Sequence, residues 1–314
     1  MSVAPSTSGR PVPAPPPAGR EARAARREER QGWLLLAPAL LALLAVAAFP
    51  LGYNIWNSFH YVDLLNPGAG QPFVGLTNYL AIAASATFRA SLWVTVLFTV
   101  VSVAIEVTIG LALALALHQR FHGRGLVRAA ILIPWAVPTV VSALLWKTMF
   151  DPQQGFVDYL LGLAHLPGAH LAWLSGAWTT WVVILVADAW KNMPFVALVL
   201  LAGLQAIPDD LYEAATIDGA NAWQRLWRVT LPMLRPALLV ALIFRTLSAF
   251  LIFDLIYIIS GGGPGNATET LSYLDWHAFL VDSNFGYGGA VSVALIVFSL
   301  LIALAYVRLL RPEV

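Results

Sequence analysis

The sequence predicts an all-α membrane protein with six transmembrane helices. Hydrophobic residues make up 59% of the 314 residues and charged residues only 11%, whereas soluble domains are about 25% charged. The chain also contains six apolar stretches of spanning length, and arginines are concentrated in alternate connections between them. A surface with so few charges must face lipid or other apolar helices. The net charge of +1 gives no indication of nucleic-acid binding.

Each predicted span contains the roughly 20 mainly apolar residues that cross a bilayer as a helix. The approximate bounds are Trp33–Tyr53, Ser91–Leu117, Val127–Phe150, Thr179–Leu204, Pro236–Ile259 and Ala290–Leu310. The first stretch follows several arginines, as a signal peptide would. Its apolar run is longer than the 7–15 residues of a cleaved segment, so we expect it to be retained as a helix.

Residues 1–31 are predicted to form a basic cytoplasmic tail ahead of one membrane domain, 32–312. The segment Met1–Gly19 is rich in Pro, Ala, Ser and Gly and is predicted to be disordered. The segment Arg20–Arg30 alternates arginines with glutamates. It predicts either a charged helix that meets the membrane surface or a solvated tail.

The connections between spans alternate in charge. Three of them, 53–90, 151–178 and 260–289, carry a single basic residue, Arg89. The remaining connections carry the arginines of the tail and those at 120, 124, 128, 225, 228, 235, 308 and 311. Because positively charged loops stay in the cytoplasm, both termini are predicted to lie inside.

The connection between the fourth and fifth spans, 205–233, predicts a helix–turn–helix. Pro208 suits a first helical position, the acidic residues after it favour a helix N-terminus, and Asp218-Gly219 ends that helix. A second helix follows, with apolar side chains on one face, and Pro232 is predicted to close it. From periodicity alone, an ordinary interfacial amphipathic loop remains an equal alternative.

A family resemblance distinguishes these alternatives. The pattern Glu213-Ala214-Ala215, three residues, Gly219, nine residues, Val229, one residue, Leu231-Pro232 resembles the EAA signature of ABC-importer permeases, with Val229 in place of the usual Ile. Other segments resemble the sugar-type permeases, closest to the maltodextrin and trehalose type. They are Phe73–Tyr79, Ile133–Trp135, Ala202–Gln205 and Gly261–Pro264. The resemblance covers about 33–310 and implies the type I ABC importer permease fold.

The resemblance also implies partners and roles. Permeases of this family pair with a second, similar permease, two ATPase subunits that use ATP and Mg²⁺, and an external binding protein. The loop 205–233 would dock on the ATPase as a coupling helix, with Glu213 offering charge, Gly219 permitting the turn, and Leu211, Tyr212 and Ala215 forming the packed face. The implied coupling residues are Leu211, Tyr212, Glu213, Ala214, Ala215, Asp218 and Gly219.

Ionisable residues inside the predicted spans are candidates for function, because insertion of a charge into a bilayer is costly. Span four carries Asp188, Lys191, Asn192 and Phe195, whose offsets of 3, 4 and 7 place them on one helical face. Asp188 and Lys191 are close enough in sequence to pair. Span five carries Arg245 and Ser248, also three apart.

Three interpretations of this polar stripe remain open. It lines the solute path, it ties helices together as an ion network, or it contacts the partner permease. In maltose-type permeases the span before the EAA loop contributes to the sugar site, and the resemblance places those positions on Asp188, Lys191, Asn192 and Phe195. Glu106, alone on span two, is predicted to be a helix–helix hydrogen-bond partner.

The sequence lacks the residues and motifs that several kinds of catalytic and metal-binding site need. The chain has no cysteine, and it has no Walker A sequence with which to bind ATP. His118 and His122 are four apart but lack the metalloprotease pattern, and no Gly-x-Ser-x-Gly elbow appears. We therefore expect no enzymatic activity, no metal and no cofactor bound by this chain.

The leading hypothesis is the membrane subunit of an ATP-driven importer of a di- or oligosaccharide such as trehalose or maltose. Glucosides and glycerol phosphates also remain open as solutes. One alternative is a self-sufficient secondary transporter, although no internal repeat supports it. A less favoured alternative is an intramembrane glycosyl-transfer enzyme that uses Asp188 or Glu106 as base.

Overall fold

In the computed structural model, residues 18–119, 121–153, 155–165 and 171–309 are described, and they are almost entirely helical. Two isolated β-bridges are the extent of extended pairing within these ranges. The α-helices are α1 (Ala18–Leu43), α2 (Phe49–Ser58), α3 (Thr77–Ala84), α4 (Ala86–His118), α5 (Arg124–Ile131), α6 (Ile133–Ala136), α7 (Thr139–Met149), α8 (Phe156–Leu163), α9 (Ala177–Gln205), α10 (Asp209–Ile217), α11 (Ala222–Arg225), α12 (Leu231–Phe250), α13 (Asp254–Ile259), α14 (Leu271–Leu280) and α15 (Phe285–Leu309).

Five helical stretches among the described residues are long and apolar enough to cross a membrane, and a bent pair supplies a sixth. The stretches are Glu29–Ser58, Ala86–His118, Ala177–Gln205, Ala222–Phe250 and Phe285–Arg308. This agrees with the predicted six spans. Many apolar side chains on them are exposed, as lipid-facing helices require.

The chain divides into two compact units, the first ending at Tyr53 and the second beginning at Asn54. In the first unit the described residues form one helical run, interrupted by a π-helical turn at Leu44–Ala48. The charged segment before the first span is helical from residue 18, as one of its two interpretations predicted. The predicted disorder of Met1–Gly19 was wrong for residues 18 and 19, which are helical, and residues 1–17 lie outside the described residues.

The core of the second unit is built by α4, α9 and α12, which pack against one another. At Gly110 of α4 a Cβ atom would lie 2.7 Å from Cγ1 of Val196, so only glycine permits this approach of α4 to α9. Near one end, Phe98, Ile184 and Ala249 are fully or almost fully buried together. This packing fixes the relative positions of the three helices that carry the charged residues.

The third predicted span, Val127–Phe150, is not one straight helix. The stretch 124–136 and α7 meet at an angle of 89°. The break falls at Val137, which has φ −69° and ψ 131°, because a residue before proline is displaced from the α region and Pro138 has no N–H to donate. The uninterrupted third span was therefore a wrong prediction.

The fifth predicted span, Pro236–Ile259, is wrong at both ends. α12 stops at Phe250, and Asp254–Ile259 forms the separate short helix α13. At the other end, Pro232 does not close a helix, since Ala222–Phe250 is one helical stretch of 29 residues. A π-helical turn, Leu226–Thr230, ends two positions before the proline. The missing N–H of Pro232 thus falls where the regular hydrogen-bond ladder is already interrupted.

Candidate functional site

Three transmembrane helices meet at a buried charged cluster. Arg245 of α12 makes a forked ion pair with Glu106 of α4, through Nε to Oε2 and through Nη2 to Oε1 at 2.6 Å. The same Nη2 lies 3.3 Å from Oδ2 of Asp188 on α9. Glu106 is 0% exposed, Asp188 4% and Arg245 5%. One guanidinium therefore joins carboxylates from two neighbouring helices.

Two polar side chains complete the charged cluster. Ser102 Oγ lies 2.5 Å from Oδ2 of Asp188 and 3.3 Å from Oε1 of Glu106. Asn192 Nδ2 donates to Oδ1 of Asp188 at 2.7 Å. Each Asp188 oxygen thus accepts a hydrogen bond from the protein, as buried carboxylates require. Glu106 is a helix–helix partner, as predicted, but it is not a lone acid.

Lys191 Nζ donates to the carbonyl oxygen of Val137, whereas Asp188 makes its ion pair with Arg245. That carbonyl lies at the break between α6 and α7, where helical C=O groups lose their usual partners. A cation at a helix C-terminus is electrostatically favourable. Lys191 and Asp188 attract each other electrostatically, as their spacing predicts, but the direct contact of Lys191 is with the broken third span, which it ties to α9.

An aromatic cluster adjoins the polar face of α9. Phe195 stacks with Trp135, with ring centroids 6.2 Å apart, and meets Phe244 edge-on at 6.1 Å. Trp135 is 51% exposed and Phe244 59% exposed, whereas Phe195 is half-buried. The cluster lies one helical turn from Asn192, so an apolar surface and an amide are available side by side.

The six candidate translocation residues therefore fall into three groups. Asp188, Lys191 and Arg245 are buried and engaged with other protein groups. Asn192 and Phe195 are half-buried. Ser248 is exposed and donates to the Phe244 carbonyl within its own helix, at 2.8 Å, so it takes no part in the charged cluster.

Sequence reasoning missed Ser102, Trp135 and Phe244. Ser102 lies four residues before Glu106 on α4, and that spacing was the available indication that the two share a face. The two aromatic residues belong to different helices and are brought to Phe195 by the bend of the third span and the packing of α12. No local pattern in the sequence specifies those contacts.

The predicted coupling loop ends its first helix, α10, with a Schellman motif. Gly219 has φ +79°, which glycine adopts without a steric penalty. Its N–H donates to Thr216 O at 3.0 Å, and the N–H of Ala220 donates to Ala215 O at 2.9 Å. The chain therefore turns sharply after Asp218, where the sequence predicts the helix to end.

A capping box then starts the second helix of the coupling loop. Asn221 Oδ1 accepts from the Gln224 N–H at 2.9 Å, and Gln224 Oε1 accepts from the Asn221 N–H at 2.9 Å. Arg225 Nη1 donates to Thr216 Oγ1 at 2.8 Å and so links the second helix to α10. The two short segments are thereby held in one defined arrangement.

One side of α10 packs against the rest of the chain. Tyr212 packs against the buried apolar cluster that includes Leu204, Ile207 and Leu234, and its hydroxyl lies 3.1 Å from Thr230 Oγ1. Ala215 is half-buried, whereas Leu211 is 40% exposed. Leu211 lies about 100° around the helix from Tyr212, so its predicted role in the packed face stays a prediction. Glu213 and Ala214 are exposed.

Comparison with known proteins decides the family. The model of the family described as "Binding-protein-dependent transport system inner membrane component" matches residues 106–312. The chain belongs to this family. A trehalose/maltose transport system permease protein of Thermococcus litoralis is 42% identical over 285 residues, which are 91% of this permease and 95% of the relative. A trehalose transport system permease protein of Mycobacterium tuberculosis is 41% identical, over 90% and 89% of the two chains.

A solved structure with the same fold confirms the predicted architecture. The permease superposes on a chain of a bacterial ABC transporter that imports the acidic polysaccharide alginate, with a TM-score of 0.78, and the match covers 92% of the permease and 99% of that chain. At 22% sequence identity, this likeness concerns the fold. The protein is thus a multi-pass inner-membrane permease subunit of an ABC importer and not an enzyme.

Proposed function

We propose that the permease translocates an uncharged di- or oligosaccharide, such as trehalose or maltose, that an extracytoplasmic binding protein delivers. The supporting observation is that relatives about 41–42% identical over nine-tenths of this chain are described as trehalose or trehalose/maltose permeases. Other relatives are described as permeases for sulfoquinovosyl glycerol, at 36% identity, and sn-glycerol-3-phosphate, at 33%. The charges near the proposed path therefore decide whether the solute is an uncharged sugar or an anion.

The charges near the proposed path favour an uncharged solute. Arg245 is neutralised by Glu106 and Asp188, and Lys191 is committed to a backbone carbonyl. A phosphate or sulfonate would need a cation released from these contacts, and separating a buried ion pair is costly. An uncharged sugar needs hydrogen-bonding groups and an apolar surface, and Asn192 with the rings beside Phe195 offers both.

In this proposal the charged cluster positions the solute-contacting residues and does not itself hold the solute. Asp188 fixes the Asn192 amide, and Arg245 fixes Asp188. Lys191 fixes the broken third span, which carries Trp135. The sugar would then contact Asn192 and the three aromatic rings. The proposal thus combines two of the interpretations of the polar stripe. The ion network ties the helices together, and the half-buried residues of the same face line the path.

In the proposed importer, a pair of separate ATPase subunits would use ATP and Mg²⁺ to drive transport. A second permease subunit would complete the solute path. α10 is the proposed contact with the ATPase. Glu213 and Ala214 are exposed on it, and Ile217 at its end is 86% exposed. An apolar side chain so exposed on a nine-residue helix is suited to a partner cleft. The proposed orientation places α10 and both termini in the cytoplasm.

Uptake by the assembled importer in proteoliposomes tests the proposal. With the binding protein present, we expect labelled trehalose or maltose to enter only while ATP is hydrolysed, and glycerol phosphate not to enter. Phe195→Ala is expected to reduce sugar uptake up to about tenfold, the effect of losing one aromatic contact. The matched control is Phe156→Ala, because Phe156 is an exposed phenylalanine on α8.

Two results would contradict the proposal. Uptake that continues without hydrolysis would favour a secondary transporter. Equal uptake by the Phe195→Ala and Phe156→Ala variants would remove the aromatic cluster from the sugar path.

A further inference from the structure

A polar cavity lies at the end of the molecule that carries the coupling loop. Its volume is about 850 Å³, within the range of about 300–1,000 Å³ that is usual for ligand pockets. It is enclosed by the end of α4, the start of α5 and the connection from α9 to α10. The lining residues are His118, Phe121, His122, Arg124, Arg128, Gln205, Ile207 and Asp209. None of them belongs to the charged cluster or the aromatic cluster.

The lining of this cavity is strongly biased towards positive charge and hydrogen-bond donors. Two arginines and two histidines line the cavity together with one acidic residue, Asp209. Asp209 already interacts with another group of the protein. Arg128 Nη2 donates to the Leu117 carbonyl at 2.9 Å, which orients the guanidinium. Its Nε is buried and has no hydrogen-bond partner within the described parts of the chain. A buried donor without an acceptor is rare and indicates that an acceptor is missing.

We propose that this cavity binds a phosphate-bearing anion, either a small phosphate ester or the headgroup of an anionic lipid. Arginine presents a planar fork of donors that matches phosphate oxygens, and an oriented guanidinium loses little freedom on binding. Arg128 is oriented in this way, and Arg124 lies one helical turn before it on α5. Phe121 and Ile207 supply an apolar wall for the organic part of the ligand.

The position of the cavity gives the anion a means of influencing coupling. Asp209 is the first residue of α10, and Gln205 is the last residue of α9, so one wall of the cavity is the entry to the coupling loop. The opposite wall is formed by the end of α4 and by residues 121–128. An anion bound by both walls restrains the coupling loop against α4, and it favours whichever transport state has that spacing.

Phosphate binding to the assembled importer tests this proposal without any transport assay. The first arm uses inorganic phosphate and glycerol phosphate as probes, followed by phosphorus NMR line broadening on the detergent-purified complex. The second arm uses nanodiscs with and without phosphatidylglycerol, followed by mass spectrometry of retained lipid. We expect binding in at least one arm, weakened about tenfold or more in the double variant Arg124→Gln, His122→Gln. Arg128 is left intact because it also holds the end of α4.

Arg235→Gln is the matched control, because Arg235 is exposed and outside the cavity. Binding of the soluble probes identifies a phosphate ester, and retention of phosphatidylglycerol alone identifies a lipid headgroup. The variant Arg124→Lys keeps the positive charge, so it is expected to bind the anion more tightly than the double variant. That difference would show that lost charge, and not misfolding, weakens binding in the double variant. Binding in neither arm, as would follow if the ATPase fills the cavity, overturns the proposal. Equal binding by the double variant and Arg235→Gln also overturns it.

Discussion

At the scale of single residues, Arg245 shows how a charge is accommodated within a membrane span. Its guanidinium is shared by Glu106 and Asp188, and these three residues lie on three helices. The separation of 139 positions between Arg245 and Glu106 explains why the sequence did not reveal the pair. Helical periodicity identified the face on which each residue lies, but it contains no information about which faces of distant helices meet.

Removal of one member of this ion pair is expected to destabilise the permease strongly. Glu106→Gln leaves the buried Arg245 without its forked partner, and breaking a buried pair in this way costs about 3–5 kcal/mol. Thermal unfolding of the purified permease measures the effect as a lowered melting temperature. Glu213→Gln is the control, since the same change at an exposed carboxylate costs within about 0.5 kcal/mol. Equal melting of the two variants would contradict the structural role of the pair.

Asp275 on α14 predicts a dependence of stability on pH. Burial raises its pKa to about 6 from an ordinary value of 3.8, although hydrogen bonds from Ser292 Oγ, at 2.7 and 2.9 Å, lower it. The folded state therefore holds the proton more tightly than the unfolded state. This contribution to stability is fully present below about pH 4, is lost as the pH rises through about 6, and amounts to at most about 3 kcal/mol.

The measurement is the melting temperature between pH 4 and 7. The wild type is expected to lose stability as the pH rises over this window, and Asp275→Asn is expected to lose less of it. Ser292→Ala removes the hydrogen bonds that favour the carboxylate, so its loss of stability should extend to higher pH. A parallel pH dependence in wild type and Asp275→Asn would show that this carboxyl group is not responsible.

At the scale of helices, hydropathy located the spans better than it described their shape. α4 and α9 begin and end within about five residues of the predicted bounds. The break of the third span at Val137 was missed, because a hydropathy window counts apolar residues and takes no account of the N–H that proline lacks. Pro134 and Pro138 were the local indications. Pro232 was misinterpreted in the opposite sense, since the helix continues through it after a π-helical turn that already interrupts the hydrogen-bond ladder.

The turn of the coupling loop can be tested at Gly219. A Cβ atom there would meet nothing within 4 Å, so any cost of substitution comes from the backbone angle of +79°. Alanine is expected to cost about 1–2 kcal/mol in this conformation, and asparagine less. Proline cannot adopt it, and proline also removes the N–H that donates to Thr216.

Gly219→Pro is therefore expected to insert in the membrane and yet to uncouple ATP hydrolysis from sugar uptake. Gly219→Asn is the matched variant and is expected to retain coupling. The two quantities to measure are sugar-stimulated ATP hydrolysis and ATP-driven uptake by the assembled importer. Normal values of both in Gly219→Pro would show that the turn after α10 does not transmit force from the ATPase.

At the scale of the whole molecule, the family and the number of spans could be predicted because each depends on residues that are close together in the sequence. The spacing from Glu213 to Pro232 and the six apolar stretches are properties of short segments. The charged cluster depends on how α4, α9 and α12 assemble, and the cavity beside α10 depends on how α4, α5 and α9 assemble. Their polar residues were visible in the sequence, but the partners of Arg245 and Lys191 became clear only from the packing.

The orientation of the whole molecule in the membrane is the remaining expectation to test, and the sequence makes the experiment simple. The chain has no cysteine, so single cysteines can be introduced without removing others. Ala214 and Asn266 are both exposed, and the helical stretch Ala222–Phe250 separates them. An impermeant maleimide applied to intact cells is expected to label Asn266→Cys and not Ala214→Cys, and both after permeabilisation. The opposite pattern would place α10 away from cytoplasmic ATP, where no ATPase subunit could engage it.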